Sequence, residues 1–198
     1  MFLKRGQWPI FIVNLLYLGI SLFVFSSRKN YEFVMYIGVI IVIAILILAT
    51  NKKMNYPNSV LWGMTIWGIL HMAGGGYILK SGRVLYSLIL IPLSEEYGIF
   101  RYDQFVHIVG FGIATLLMYF LLRPSLNGNT KNKKSLAFIL IMTGLGVGAL
   151  NEIIEFIATV LAPQTGVGGY VNTSLDLVSD LIGAIIAVIY IKLKNWEI

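Results

Sequence analysis

The sequence contains no cysteine, 5 prolines, 2 histidines and only 12% charged residues in 198 positions. Without cysteine, disulfides, iron–sulfur ligation and thiolate zinc sites are excluded. The scarcity of charge argues against a soluble domain, in which about a quarter of residues are charged. Motifs are scarce as well. There is no phosphate-binding loop, no Gly-x-Ser-x-Gly elbow and no His-Glu-x-x-His pair. Gly144, Gly146 and Gly148 form a Gly-x-Gly-x-Gly, but it lies inside an apolar run and follows no strand, so a dinucleotide site is excluded by context.

What the chain has in abundance is apolar length. Its residues are 58% hydrophobic, and the runs predict transmembrane helices at about 8–26, 31–49, 58–79, 104–122, 135–161 and 174–193. Each is long enough to cross a hydrocarbon core of about 30 Å. A chain of this length has no soluble interior able to hide six such runs, so the bilayer must cover them. The fold class is therefore an all-α, polytopic transmembrane bundle forming a single membrane domain over residues 1–198. A seventh apolar stretch, Val84–Leu93, contains Pro92 and is too short to cross, which predicts a re-entrant or interfacial half-helix. The first run is longer than a signal-peptide core and lacks a cleavage site, so it is expected to remain as a helix.

The net charge of +6 does not imply nucleic acid, because the basic residues sit in short clusters between the runs and read as topology signals. With the N-terminus in the cytoplasm, the inner segments hold Lys4, Arg5, Lys52, Lys53, Arg123, Lys131, Lys133, Lys134, Lys192 and Lys194. The outer loops hold Arg28, Lys29, Lys80, Arg83 and Arg101. This asymmetry predicts a multi-pass protein of the cell membrane with both termini inside. The Ser125–Lys134 connection is then cytoplasmic and the chargeless Pro163–Thr173 loop lies outside.

Ionisable groups at membrane depth cost about 2.5 to 3.5 kcal/mol each and need a reason to be there. None is expected from the first two helices. The third carries His71, the fourth Asp103 and His107, the fifth Glu152 and Glu155, and the sixth Asp176 and Asp180. Counting 1.5 Å per residue, all seven fall in the outer half of the bilayer, His71 and Glu152 about 12 and 14 Å from the outer ends of their helices. Four helices of alternating direction need not place their charges at one depth. Asp103/His107 and Asp176/Asp180 are i,i+4 pairs and Glu152/Glu155 is i,i+3, so each pair shares a helix face. Asp103 and Asp176 at helix starts could equally serve as N-terminal caps, and His71 as a core histidine bonded to a carbonyl.

Five carboxylates at one depth cannot all be ionised without a cation. A metal, shared protons, a cationic substrate, or Arg101, Lys80 and Arg83 reaching in could supply the balance. Carboxylate and imidazole donors suit zinc, manganese or iron. On the metal reading the ligands are His71, Asp103, His107, Glu155, Asp176 and Asp180, with Glu152 as catalytic base and Asn151 and Asn172 hydrogen-bonded behind them. The clustered glycines, Gly74–Gly76, Gly110, Gly112, Gly144, Gly146, Gly148 and Gly183, read as helix-packing positions.

The succession His71-Met-Ala-Gly-Gly, Arg101-Tyr-Asp-Gln-Phe-Val-His107, Asn151-Glu-Ile-Ile-Glu155-Phe and Asp176-Leu-Val-Ser-Asp180-Leu-Ile-Gly183 resembles the YjdF-like family of bacterial inner-membrane proteins. The resemblance covers about the last two thirds of the chain. More distantly, Asp-x-x-x-His in the fourth run and Asp-x-x-x-Asp-x-x-Gly in the sixth look like VanZ-type membrane proteins, linked to teicoplanin resistance. The resemblance implies a membrane architecture and a role for the polar cluster, and it implies no reaction. Three functions stay open: a metal-dependent enzyme acting on a lipid or lipid-linked substrate at the outer leaflet, a proton-coupled small transporter, and a VanZ-like protein that binds an envelope lipid.

Overall fold

The structure, a computed structural model, describes residues 3–94, 96–126, 132–162, 165–194 and 196. Six helices follow in order: α1 (Trp8–Ser27), α2 (Tyr31–Met54), α3 (Asn58–Gly76), α4 (Tyr102–Leu122), α5 (Lys133–Leu161) and α6 (Tyr170–Leu193). All but α3 are long and apolar enough to cross a membrane. α3 has 19 residues and is diluted by Trp62, Trp67, His71 and glycines, yet it runs the full length of its neighbours. Near its start Lys4 Nζ donates to Asn55 Oδ1 at 2.6 Å, and at its end Arg28 Nη1 donates to the Gly76 carbonyl at 2.7 Å. The all-helical membrane bundle read from the sequence is the observed fold.

Helix ends follow local chemistry. Asn30 and Asn132 cap α2 and α5, accepting from the Phe33 and Ser135 amides at 3.2 and 3.1 Å and so satisfying amides that have no partner inside the helix. Lys52 and Lys53 occupy the last turn of α2, where cations oppose the helix dipole. Gln104 Oε1 reaches back to accept from the Arg101 amide at 2.6 Å at the start of α4.

Between α3 and α4 the expected half-helix is absent. Residues 84–93 instead form a short 3-10 turn, Leu85–Ser87, and most of a strand β1 (Ile89–Ser94), which pairs antiparallel with β2 (Ile99–Arg101). β-branched Ile89 and Ile91 favour a pleated backbone, Pro92 is tolerated in an edge strand, and Gly98, with φ +60°, turns the chain. From Ile89 to Leu93 every side chain is exposed, so β1 is an apolar strand with no packed face, while β2 is half-buried.

α4 lies at the centre, against α3, α5 and most extensively α6. Small residues allow that closeness. A Cβ on Gly183 would collide with the Ile108 carbonyl oxygen of α4, and one on Gly112 would come within 3.2 Å of the Gly183 carbonyl. Around Leu117, Tyr119, Phe120, Leu140 and Ile191 an apolar cluster fills the end of the bundle that holds the start of α1 and the end of α6. That end is called the termini end below, and the opposite one the hairpin end. Within the connections read over Ser125–Lys134 and Pro163–Thr173, residues 127–131 and 163–164 lie outside the described residues. Tyr170–Thr173 belong to α6.

Candidate functional site

At the hairpin end the polar residues of α4, α5 and α6 come together. His107, one turn into α4, is 6% exposed, and Asp176 and Asp180 on α6 are fully buried. His107 Nδ1 lies 2.9 Å from Asp180 Oδ1, and Nε2 lies 4.0 Å from Asp103 Oδ1 one turn earlier on the same helix. A carboxylate on Nδ1 accepts the ring N–H there and leaves Nε2 with its lone pair. Asn172 Nδ2, a turn before Asp176, donates to Asp103 Oδ2 at 3.2 Å and to Asp176 Oδ2, tying α4 to α6 through two carboxylates. On α5, Asn151 Nδ2 donates to Glu155 Oε1 at 2.8 Å.

Two triplets have ligand-type atoms within 4.8 Å of one another: Asp103, His107 and Asp176, and His107, Glu152 and Glu155. Both share His107. Among the described residues, the buried side-chain polar atoms with no partner are Gln104 Nε2 and three carboxylate oxygens, Glu152 Oε1, Asp176 Oδ1 and Asp180 Oδ2. No described lysine or arginine pairs with a carboxylate of this group. Of the alternatives for the balancing charge, the approach of Arg101, Lys80 and Arg83 is not seen: Arg101 lies over Gly98 and neither Lys80 nor Arg83 lines the site.

A cavity of about 420 Å³ opens beside the cluster and is lined by Glu32, His71, Tyr86, Asp103, His107 and Glu155, with Arg28 and Lys29 at its rim. His71 faces it but belongs to neither triplet. Tyr86 explains its state: the hydroxyl donates to the His71 carbonyl at 3.0 Å and sits 2.6 Å from His71 Nδ1. With its one proton on the carbonyl, the hydroxyl takes the Nδ1–H and leaves Nε2 as the free acceptor. Burial pushes the Tyr86 phenol well above its ordinary value, so it stays a neutral donor.

Several placements differ from expectation. Asp176 is no cap: α6 begins four residues earlier than the apolar run indicated, with Gly169 at the cap position, and Asp176 lies in its second turn. Asp180 stands behind the His107 ring, on its Nδ1. Glu32 was passed over, because the first two helices were expected to hold no ionisable group. It is buried near the start of α2, where Oε2 accepts the Gly166 amide at 2.7 Å and Oε1 accepts from the Tyr36 hydroxyl at 3.2 Å. Its signal was a lone carboxylate next to an Asn cap at the head of a long apolar run. Tyr86 carried no signal in the sequence.

Gly148 and Gly74 make room for residues of this site, and Gly144 for the packing of α4 on α5. A Cβ on Gly148 would collide with Asp180 Oδ2, one on Gly144 with the Thr115 hydroxyl, and one on Gly74 with the Tyr86 ring.

Residues 8–195 match the family described as "Predicted membrane protein (DUF2238)". The chain belongs to that family. The YjdF-like resemblance is consistent with it, and the VanZ likeness is not shown by it. No curated protein and no solved structure matches the chain significantly.

Proposed function

We propose that this member of the DUF2238 family is a metal-dependent membrane enzyme that hydrolyses a lipid or lipid-linked substrate at the surface onto which its cavity opens. The observation that carries this reading is the orientation of His107: Asp180 holds Nδ1, Nε2 is turned to Asp103, and His107 forms a triplet with Asp103 and Asp176. Carboxylate–histidine–metal arrangements are built in this way. Three protein ligands with room for a fourth are the pattern of a catalytic rather than a structural site. A divalent cation would also satisfy the lone Asp176 oxygen and balance a group of carboxylates that has no lysine or arginine partner.

Asp103, His107 and Asp176 would hold zinc, manganese or iron, and the ion would polarise a phosphoryl or carbonyl oxygen and acidify a bound water. Glu152, whose Oε1 has no partner, is the base. It takes a proton from water as the water oxygen bonds to phosphorus or acyl carbon, then returns it to the departing ester oxygen. Asn172 and Asn151 position the carboxylates they bond.

A lipidic substrate is supported by the hairpin that follows Tyr86 of the cavity wall, whose exposed Ile89, Ile91 and Leu93 form an apolar surface suited to the membrane interface. The apolar plug at the termini end, with Tyr119 and Ile191 fully buried, argues against a transport path. With both termini in the cytoplasm, as the lysine and arginine count favours, the cavity opens outward. The test is release of phosphate or fatty acid from a panel of bacterial lipids by the protein in vesicles. Activity abolished by chelator, restored by one of the three metals and absent in Glu152→Gln supports the reading. Lipids left intact under every metal overturn it.

A further inference from the structure

At the opposite end of the bundle a second polar cavity, of about 620 Å³, is lined by Lys4, Arg5, Asn55, Tyr56, Arg123 and Trp196. No carboxylate lines it among the described residues. Directly along the bundle from it runs an apolar crevice of about 260 Å³, walled by α1, α2 and α3 through residues such as Ile10, Leu18, Ala44 and Leu48. Gln7 stands in the wall of both. It is 1% exposed and held by Asn51, whose Nδ2 donates to Gln7 Oε1 at 2.7 Å, so a fixed polar pair lines the place where the basic chamber meets the apolar one. From Gln7 to Leu18 the crevice follows α1 for about 16 Å.

A cationic chamber at the membrane surface, continuous with an apolar slot reaching toward the bilayer centre, matches one kind of molecule. We propose that this is a binding site for an anionic phospholipid of the leaflet at the termini end, with its phosphate held by Lys4 and Arg5 and one acyl chain seated in the α1–α2–α3 crevice. Charge complementarity selects the headgroup. Basic pockets between transmembrane helices attract anionic lipids, whereas a zwitterionic headgroup carries its own cation to the same place. Lys4 is already steered by Asn55, and Trp196 and Tyr56 are the amphipathic aromatics that sit at headgroup level. The site is independent of the carboxylate cluster and of the reaction proposed there.

Native mass spectrometry of the full chain in mild detergent tests it, with phosphatidylglycerol and phosphatidylcholine of identical chains and with inorganic phosphate as probes. Phosphatidylglycerol should bind on the order of tenfold more tightly than phosphatidylcholine. Lys4→Gln/Arg5→Gln should erase the preference, and Ala44→Phe, which fills the crevice without touching the charges, should weaken both lipids. Equal affinity for the two lipids in the wild type, or a preference that survives the double substitution, overturns the proposal. Displacement of phosphatidylglycerol by inorganic phosphate together with full binding by Ala44→Phe overturns the lipid assignment and leaves a site for a free anion.

Discussion

His107 and Asp180 meet at 2.9 Å, Nδ1 to Oδ1, across the interface of α4 and α6, with the carboxylate fully buried. The pair fixes which imidazole nitrogen faces Asp103. Asp180→Asn keeps the shape and removes the charge that holds the tautomer. Metal affinity should fall about 10- to 100-fold, with helix content by circular dichroism unchanged. Titration of the chelator-treated protein with zinc measures it.

Glu152 is proposed to move a proton rather than hold the ion. Glu152→Gln should therefore retain metal while losing about 10²-fold or more in turnover. Elemental analysis beside the lipid-release assay separates the two, and a variant that loses metal and activity together would make Glu152 a ligand.

Gly183 and Gly148 are packing positions with different consequences. Gly183→Ala forces α4 from α6 at the Ile108 carbonyl and should destabilise the protein by about 1–3 kcal/mol, read as an earlier thermal transition in detergent. Gly148→Ala presses on Asp180 Oδ2 and should lower metal affinity as well as stability. Gly146, with nothing within 4 Å of an added Cβ, is the control: Gly146→Ala should be neutral or slightly stabilising, since alanine is the better helix former.

Metal should leave the protein on acidification. Ligands must be deprotonated to bind, so protons compete with the ion at His107, Asp103 and Asp176, and affinity falls as pH drops. Dialysis at stepwise lower pH followed by elemental analysis should show a monotonic loss. Metal content rising with acid would contradict the ligand assignment.

The spacing of polar residues on apolar runs made much of the site legible. Asp103 and His107, one turn apart, and Asp180 on another helix at similar depth, meet as helical periodicity and run ends implied. The turn over residues 170–174 falls outside the apolar run that predicts the sixth helix, because its polar and β-branched residues make a poor helix start by composition. It is helical because Asn172 is fastened to Asp103 on α4, a contact between residues far apart in the chain. Residues 84–93 looked helical by hydrophobicity alone. Their β-branched residues favour a strand and Pro92 disfavours a helix interior, but only pairing with residues 99–101 settles it. His71 lines the same cavity as Asp103, His107 and Glu155, but its state depends on Tyr86, which approaches from the turn after α3.

The central claim is a metal held by Asp103, His107 and Asp176, and elemental analysis of the protein purified in mild detergent without chelator tests it most directly. Near-stoichiometric zinc, manganese or iron is expected in the wild type, lost in His107→Ala and Asp176→Ala and kept in Glu152→Gln. Metal-free wild type that stays folded and takes up none of the three ions on titration would contradict it.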